Sequence, residues 1–434
     1  MNNQVIEFKQ NVPIRHQVDV CVAGGGPAGV AAAVAAARAG ASVFIAEATG
    51  CFGGLGTAGL VPAFCGVGNG VSILGGPFCK EILKAMDIPE GAHDREFSFI
   101  DAEKLKVVYD RIIERSGCLF ALECRLAGVI AEQGTMEAAI FTECGRESLF
   151  AVKAKVFIDA TGNGDLAAWA GADYVQGNAQ GLVMPSTLCS SWANVDWEQY
   201  NKKDKKLFDL LLQAIDDGVF SLQDWHHSGM FPTGNSTAGG NFGHVFNLRT
   251  DDTDSRNAGW LDSRKRLNEF KYFYNHYVPG FQRAEMLASA ALMGVRECRR
   301  ITGDYMLTLD DFKNKARFED EIGVFAYSVD IHPLDDSKAE FERFQREFYG
   351  NLRYQRGECY GVPYRVLIPG KLKNVLTAGR CVSTDQPMAA SIRVMPGCYL
   401  TGYAAGTAAA LAPAGDVRKV DAGNIRKTMN SNSI

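Results

Sequence analysis

The sequence lacks the long apolar runs and the basic excess that would indicate a membrane or a nucleic acid as partner. Its longest apolar stretches, around residues 28–37 and 404–412, are too short and too rich in Gly and Ala to span a bilayer. The formal net charge is −5 at pH 7, which argues against nucleic acid. Residues 1–17 contain charged side chains and no apolar core, so we expect no signal peptide.

Cysteine is present, but not in the patterns that carry redox or metal chemistry. The twelve cysteines form no Cys-x-x-Cys pair and no Cys-x4-Cys pair, which argues against a thiol–disulfide or iron–sulfur role. In a chain with no predicted signal peptide we expect these thiols to be reduced. The prediction is therefore a cytoplasmic protein with no membrane partner and no nucleic-acid partner.

One segment near the N-terminus has the organisation of a dinucleotide site. A strand-like run at Val18–Ala23 leads into a Gly-x-Gly-x-x-Gly turn at Gly24–Gly29. An Ala-rich helix over residues 28–39 and a second strand at Ser42–Ala46 follow, and Glu47 comes directly after that strand. A strand, a glycine turn, a helix, a strand and an acid in this order predict the first βαβ unit of a nucleotide-binding domain.

Each part of this unit has a physical role in binding a dinucleotide. Gly24 permits a tight turn out of the strand, and Gly26 has no side chain to keep a pyrophosphate from the backbone. Gly29 allows the helix to pack closely on the sheet, while the N–H groups at the helix start attract the phosphates. Glu47 is placed to accept hydrogen bonds from ribose hydroxyls.

The position of this βαβ unit along the chain indicates which dinucleotide it binds. It opens the fold within the first thirty residues, as is typical of flavoproteins that begin with their FAD domain. No other segment joins such a turn to a strand before it, a helix after it and an acid beyond the next strand, so no separate NAD(P)H domain is predicted. We expect FAD, with a substrate that meets the flavin directly or a partner that supplies electrons.

Two later segments are also expected to pass close to the cofactor. Gly50–Gly59 contains so many glycines that its backbone either lies against a ligand or bends with positive φ, a flexible surface loop being the alternative. Lys155–Asp159 reads as a buried strand that ends in Ala160-Thr161-Gly162. Only small residues fit where a chain crosses a bound cofactor.

Between and beyond these segments the pattern predicts a helix, a β-meander and a separate module. Asp101 is a good N-cap and Gly117 a good stop for one amphipathic helix. Residues 170–365 are richer in aromatic and charged side chains, and a long helix is expected there from about Phe281 to Arg300. Four strand-like runs follow the helix that lies between Asp101 and Gly117, at 118–122, 127–131, 137–142 and 149–152. The last three of these runs predict the meander.

The chain then returns to the first pattern. Asn374–Arg380 is a strand followed by a glycine turn, and residues 393–398 begin a helix that continues to about residue 411. Gly402 and Gly406, four residues apart, give that helix a smooth face for close packing. Residues 414–434 are polar and are expected to form a loose tail.

In this order the segments resemble the glutathione-reductase-type FAD oxidoreductases, and most of all the generic FAD-dependent oxidoreductases associated with xanthan lyases. The resemblance implies an α/β fold with a discontinuous FAD-binding Rossmann domain at 1–168 and 366–413, containing the β-meander. An α+β substrate or cap domain would be inserted at 169–365. The segments that carry the resemblance are Gly24–Gly29 with Glu47, Gly53–Thr57, Ala160–Asp165, Gly294–Tyr305, Tyr364–Pro369, Gly379–Arg380 and Ser391–Pro396.

The motifs and the resemblance together define an expected FAD site. One departure concerns the ribityl contact, because the wider class often has Gly-Asp where this chain has Gly379-Arg380, and Asp385 is the candidate substitute. The start of the last helix, at Met395–Cys398, would stabilise the negative charge of reduced flavin. The expected cofactor-binding residues are Gly24, Gly26, Pro27, Ala28, Gly29, Glu47, Ala48, Gly53, Gly54, Thr57, Ala160, Thr161, Gly162, Gly379, Arg380, Asp385, Met395, Pro396, Gly397 and Cys398.

Catalytic residues are sought among arginines and histidines. Arg296 and Arg300 would either complement the C-terminal end of the expected helix or clamp a carboxylate or the flavin. Arg393, directly before the last helix, is the preferred candidate for substrate or flavin electrostatics.

A general base is sought among His226, His227 and His244, of which His244 is the chosen candidate, with a structural histidine as the alternative. Tyr360 and Tyr364 are alternative proton-transfer residues. No metal site is expected, because the spacing of His226, His227 and His244 does not suit a metal and the nearby sequence offers no third ligand to go with them.

The predicted function is that of an FAD-dependent oxidoreductase acting on a small molecule. Hydride would pass to or from flavin N5, with the proton handled by a protein base or by solvent. A non-catalytic FAD- or nucleotide-binding subunit of an electron-transfer complex is the alternative. A homo-oligomer is compatible with the sequence but is not required by it.

Overall fold

Nineteen strands and twelve α-helices make up the part of the chain that the structure describes. The structure is a computed structural model and describes residues 6–94, 96–143 and 148–432. The strands are β1 Ile14–Ala23, β2 Val43–Ala46, β3 Ala63–Cys65, β4 Phe97–Phe99, β5 Leu119–Ala121, β6 Arg125–Glu132, β7 Thr135–Thr142, β8 Leu149–Asp159, β9 Tyr174–Val175, β10 Ser186–Thr187, β11 Ser190–Ala193, β12 Met230–Pro232, β13 Ala238–Gly240, β14 His244–Val245, β15 Glu285–Ser289, β16 Arg300–Ile301, β17 Glu321–Phe325, β18 Tyr360–Pro363 and β19 Val375–Thr377. The helices are α1 Pro27–Arg38, α2 Gly76–Ala85, α3 Ala102–Ser116, α4 Asp165–Trp169, α5 Trp197–Asn201, α6 Leu207–Asp216, α7 Thr253–Tyr277, α8 Leu309–Lys313, α9 Lys338–Glu347, α10 Gln386–Ile392, α11 Met395–Leu411 and α12 Ala422–Ser431.

A parallel sheet in the order β5-β2-β1-β8-β19 carries the glycine turn at the end of its central strand. The expected strand–helix–strand unit is confirmed as β1, α1 and β2. The antiparallel meander β6-β7-β8 is also confirmed. One detail was wrong: the runs predicted as separate strands at 149–152 and 155–159 form the single strand β8. Its first half pairs with β7 and its last residues pair with β19.

Helices α1 and α11 pack so closely that their backbones touch. A Cβ atom on Gly402 would overlap the carbonyl oxygen of Ala28, and one on Gly406 would overlap that of Ala32. Both helices are almost wholly buried, which their runs of Ala and Gly allow. The predicted small-residue face of the last helix is therefore confirmed, and it holds α11 against the nucleotide-binding unit.

We expect Gly406→Ala to destabilise the fold by about 2 kcal/mol, even though alanine favours a helix by about 1 kcal/mol over glycine. The added methyl meets a backbone carbonyl of Ala32, which has no rotamer to change. Chemical denaturation of the two proteins measures the difference. Ala410→Gly in the same helix should cost only the propensity difference of about 1 kcal/mol. Equal stability of Gly406→Ala and the wild type would contradict the close packing.

A second hydrophobic core lies within residues 188–295. It joins the antiparallel sheet β12-β13-β11-β15 to α6 and α7, with Trp192 and Tyr274 fully buried inside it. Apolar residues from 307 to 368 pack instead into the core that contains α1 and α11. Residues 188–295 thus have a core of their own, while an inserted domain with the boundaries 169–365 stays a prediction.

Two predicted elements are wrong. Phe281–Arg300 is not a helix, because β15 pairs with β11 and the residues after it are irregular up to β16. The Ala- and Leu-rich sequence has high helix propensity, but pairing with a distant strand overrides it. Residues 414–434 are not a loose tail in the part described, since α12 begins at its N-cap Asp421 and buries Ile425 and Met429. None of the helices described is long and apolar enough to cross a membrane.

Candidate functional site

One cavity of 1110 Å³ joins the glycine turn after β1 to the inserted module. Its wall includes Gly26 and Glu47 from the nucleotide-binding unit and Met395 from α11. Arg296 and His332 line it from the other side of the fold. The predicted cofactor elements therefore share one space with Arg296 and His332.

The three glycines of the turn serve different purposes. Gly24 has φ +101° and lies against Ala160, and a Cβ on Gly29 would overlap the Gly24 carbonyl, so the chain itself requires both glycines. Gly26 has an ordinary φ of −68°, and a Cβ there would meet nothing within 4 Å. Helix α1 begins directly after it with no side-chain cap. This open cradle at an uncapped helix start fits a pyrophosphate.

Glu47 lies where its motif predicts, with its carboxylate in the cavity wall. Its Oε2 accepts a hydrogen bond of 2.8 Å from the Gly25 N–H, and its Oε1 accepts two of 2.8 Å from the Thr49 N–H and hydroxyl. Burial raises the pKa of this carboxyl, and the hydrogen bonds from Thr49 and Gly25 oppose that rise. The side chain is held in one position at the end of β2.

Arg380 contacts the segment at residues 160–162, which is expected to cross beside the cofactor. Its Nε donates a 2.7 Å hydrogen bond to the Gly162 carbonyl, and its Nη2 donates one of 3.0 Å to Asn163 Oδ1. Burial lowers the pKa of this guanidinium. Asp385, the expected substitute for a ribityl-binding aspartate, does not line the cavity. It is the N-cap of α10 and accepts from the Met388 and Leu309 N–H groups at 2.8 and 2.7 Å.

Two arginines line the cavity: Arg296 lies in the loop before β16, and Arg393 lies between α10 and α11. Arg296 donates from Nη1 to the Pro185 carbonyl at 2.9 Å and to Thr187 Oγ1 at 2.8 Å. Burial, with a further contribution from Arg393, lowers the pKa of Arg296 to about 10. Arg393 donates from Nη2 to Asp330 Oδ2 at 3.2 Å, and its buried Nε has no hydrogen-bond partner within the described residues.

A chain of three polar side chains lies beside these arginines. His244 donates from Nδ1 to Asp224 Oδ1 at 3.0 Å, and its Nε2 lies 2.8 Å from His332 Nδ1. His226 stacks on His244 with ring centroids 5.2 Å apart. Burial lowers the pKa of His226 to about 3 and that of His332 well below its usual value. His226 and His332 line the cavity, while His244 lies behind them.

A protein-family model described as FAD dependent oxidoreductase matches residues 19–429, almost the whole chain. The chain belongs to the FAD-dependent oxidoreductase family. The protein is therefore an enzyme, and its cofactor is FAD, as predicted. No curated protein matches the sequence.

Solved structures of flavoproteins resemble this FAD-dependent oxidoreductase at low identity. A geranylgeranyl bacteriochlorophyll reductase-like protein from Thermoplasma acidophilum is 17% identical, with a TM-score of 0.45 over 96% of this chain and 82% of that one. The flavin-dependent brominase Bmp2 is 14% identical, with a TM-score of 0.43 over 96% of this chain and 83% of its own. No conclusion about substrate follows from likenesses this distant.

The predicted cofactor residues of the oxidoreductase fall into two groups: some line the cavity and others do not. Thr57, for example, donates to the Phe52 carbonyl at 2.7 Å and supports the loop from behind. The predicted residues that do not line the cavity are Gly29, Gly53, Thr57, Asp385, Pro396 and Gly397. Those that do are Gly24, Gly26, Pro27, Ala28, Glu47, Ala48, Gly54, Ala160, Thr161, Gly162, Gly379, Arg380, Met395 and Cys398.

Among the catalytic candidates, Arg300 is a correction. It is buried outside the cavity and forms an ion pair with Glu297, while its Nε and Nη2 donate to the carbonyls of Thr384 and Gly177. Glu297 also accepts from Gln386 Nε2 at 2.7 Å. The reason for the error is that the expected helix does not exist, so Arg300 points into the protein and holds segments together.

The histidine prediction also needs correction. His244 is not on the cavity surface, and His332 lies with His226 and His244 so that one ring nitrogen of each is within 4.8 Å of the other two. The expected absence of a metal site stays a prediction. His332 and Asp330 were missed by the sequence reading. They lie more than 80 residues beyond His244, in a loop after β17 with no recognisable motif. Only folding brings them together.

Proposed function

We propose that the enzyme oxidises or reduces a small anionic molecule directly at FAD, within a glutathione-reductase-type arrangement of domains. Bound FAD would supply the chemistry by taking or giving a hydride at N5. The observation that carries the proposal is the shared cavity, in which Arg296 and Arg393 face the same space as the FAD-binding turn. A subunit that only relays electrons has no need of such a pocket.

The chain's own residues would hold FAD at four places. The open turn at Gly26 and the start of α1 would bind the pyrophosphate, and Glu47 would bind the adenosine ribose. Residues 160–162 would cross beside the cofactor. The uncapped N-terminal turn of α11, at Met395, would offer N–H groups and a favourable dipole to the negative charge of reduced flavin.

The charge of the pocket favours an anionic substrate. Arg296 and Arg393 both lie near Asp330, whose pKa burial raises, and Arg296 also interacts with Asp224. An unpaired buried donor such as Arg393 Nε costs about 1–3 kcal/mol, which a bound acceptor would recover. Because guanidinium groups bind carboxylates through paired hydrogen bonds, a small carboxylate is the substrate class that fits.

The first test is the visible spectrum of the purified protein before and after acid denaturation. Release of FAD would identify a non-covalent flavin, after which small hydroxy and amino acids are screened for anaerobic bleaching of the flavin band. Bleaching by one of them supports the proposal. A flavin that dithionite reduces but that no small molecule reduces or perturbs would favour the electron-transfer subunit.

We expect Arg393→Gln to weaken the binding of small carboxylates about 10- to 100-fold, or about 1.4–2.7 kcal/mol. The variant removes a charged donor but leaves the Met395 helix start intact, so FAD content should not change. Titration of the flavin spectrum with each carboxylate measures the affinity. Arg317→Gln, which removes a surface arginine outside the cavity, is the matched control. Unchanged affinity in Arg393→Gln would overturn the anion site.

A further inference from the structure

We propose that His226, His244 and His332 form a binding site for a divalent metal ion of the Zn²⁺ class. One ring nitrogen from each residue lies within 4.8 Å of the other two. Three imidazoles are a common protein ligand set for Zn²⁺. The proposal rests on this cluster alone and does not depend on the substrate class or on hydride transfer.

The spacing of the nitrogens is close to what a metal requires. With metal–nitrogen bonds of about 2.0–2.1 Å, tetrahedral ligands lie about 3.4 Å apart. His244 Nε2 and His332 Nδ1 are 2.8 Å apart, so these two need to separate only slightly. The ring nitrogen of His226, which stacks on His244, lies within 4.8 Å of the other two and needs to move in by up to about 1.4 Å.

The cluster also has an unsatisfied atom. His226 Nδ1 is buried and has no hydrogen-bond partner in the described chain. A buried ring nitrogen without a partner costs about 1–3 kcal/mol, and a metal ion would use its lone pair. The neighbouring His227 Nδ1 is likewise buried without a partner among the described residues, but His227 is not part of the cluster, and its Nε2 is hydrogen-bonded to the Tyr274 hydroxyl at 2.8 Å.

Asp224 supplies the outer support that metal-binding histidines usually have. It accepts from His244 Nδ1, which leaves the lone pair of His244 Nε2 directed at the cluster. The backbone N–H groups of His244 and His226 donate to the same carboxylate at 2.9 and 3.2 Å. Without a metal, that lone pair accepts a hydrogen bond from the His332 Nδ1–H group. With a metal, the His332 proton would move to Nε2, on the side of Asp330, whose Oδ2 lies 3.6 Å away.

The site would be open toward the substrate pocket. The three ligands come from the segment before β12, from the start of β14 and from the loop after β17, and two of them line the cavity. Three protein ligands with a free fourth position are typical of catalytic rather than structural zinc sites. Arg296 and Arg393 would repel the ion, whereas Asp224 and Asp330 lie near the cluster and would attract it. Water or a substrate oxygen would complete the coordination.

Metal counting tests the proposal without any enzymatic assay. The FAD-loaded enzyme is treated with a chelator, dialysed against Zn²⁺, passed through a desalting column and measured by atomic emission. We expect one ion per chain in the wild type, and less than a tenth of that in His244→Ala and His332→Gln. Co²⁺ should give the d–d bands of a four-coordinate nitrogen site on the red side of the flavin spectrum.

His276→Ala is the matched control, because His276 is exposed on α7 and distant in sequence from all three ligands. It should keep full metal binding. FAD content and the thermal midpoint of each variant separate loss of the site from loss of the fold. Wild-type protein that retains no more Zn²⁺ than His244→Ala would overturn the proposal and leave Asp224, His244 and His332 as a hydrogen-bonded chain. Because this result does not involve flavin reduction, it stands apart from a failure of the proposed function.

Discussion

Gly26→Val is expected to fold normally and to lose its FAD. The Gly26 backbone has φ −68°, which any residue adopts, and a Cβ there would project into open cavity. The valine side chain would fill the space that we assign to the pyrophosphate and would keep it from the N–H groups of α1. We expect the affinity for FAD to fall at least about 100-fold, or about 2.7 kcal/mol. Flavin absorbance per chain after desalting, with thermal unfolding of the apoprotein, measures both effects.

Two other glycine variants make this test specific. Gly91→Val adds the same side chain at an exposed position where a Cβ also meets nothing within 4 Å, so it should retain FAD. Gly29→Ala should fail to fold stably, because its methyl overlaps the Gly24 carbonyl. A Gly26→Val enzyme that keeps its full FAD content would show that the pyrophosphate lies elsewhere.

Arg300→Met is expected to reduce the free energy of unfolding by about 3–5 kcal/mol, as removal of one partner of a buried ion pair does. The substitution leaves the Glu297 carboxylate buried without its cation. That carboxylate accepts from the Gly177 and Met184 N–H groups at 3.0 and 2.8 Å and from Gln386. It therefore connects the segment after β9 to α10, and denaturant unfolding of both proteins measures the loss.

A surface ion pair provides the comparison. Arg317→Met removes the partner of Glu321 at a site where the arginine is 58% exposed, and such pairs contribute about 0–1 kcal/mol. Arg300→Met protein that remains folded should still bind small carboxylates, because Arg300 is not in the cavity. A stable Arg300→Met variant that had lost carboxylate binding would restore Arg300 to the active site.

The nucleotide-binding half was predictable because short segments carry its signals. Gly29 is required by a contact within the β1–α1 unit itself, because its Cβ would overlap the Gly24 carbonyl, and Asp101 caps α3 by accepting hydrogen bonds from residues 103 and 104. The meander and α11 follow from alternation and from small-residue spacing. Each of these features depends on residues within about thirty positions of one another.

The inserted module was less predictable because its elements depend on distant partners. Residues 285–289 have a helical composition but form a strand on β11, about one hundred residues earlier in the chain. Residues 422–431 look like a polar tail, yet Ile425 and Met429 are enough to dock a helix on the core. Composition and local periodicity contain no information about these contacts.

The sequence by itself determined that the enzyme belongs to an FAD-binding class, because the turn at Gly24–Gly29 and the acid at Glu47 are local requirements of a dinucleotide. Tertiary structure alone decided what faces that site. It turned Arg300 inward to Glu297, kept Arg393 in the cavity, and brought His332 to His244 from 88 positions away. Backbone chemistry within one βαβ unit can be read along the chain. A pocket cannot, because its walls come from segments that only the packing of two hydrophobic cores brings together.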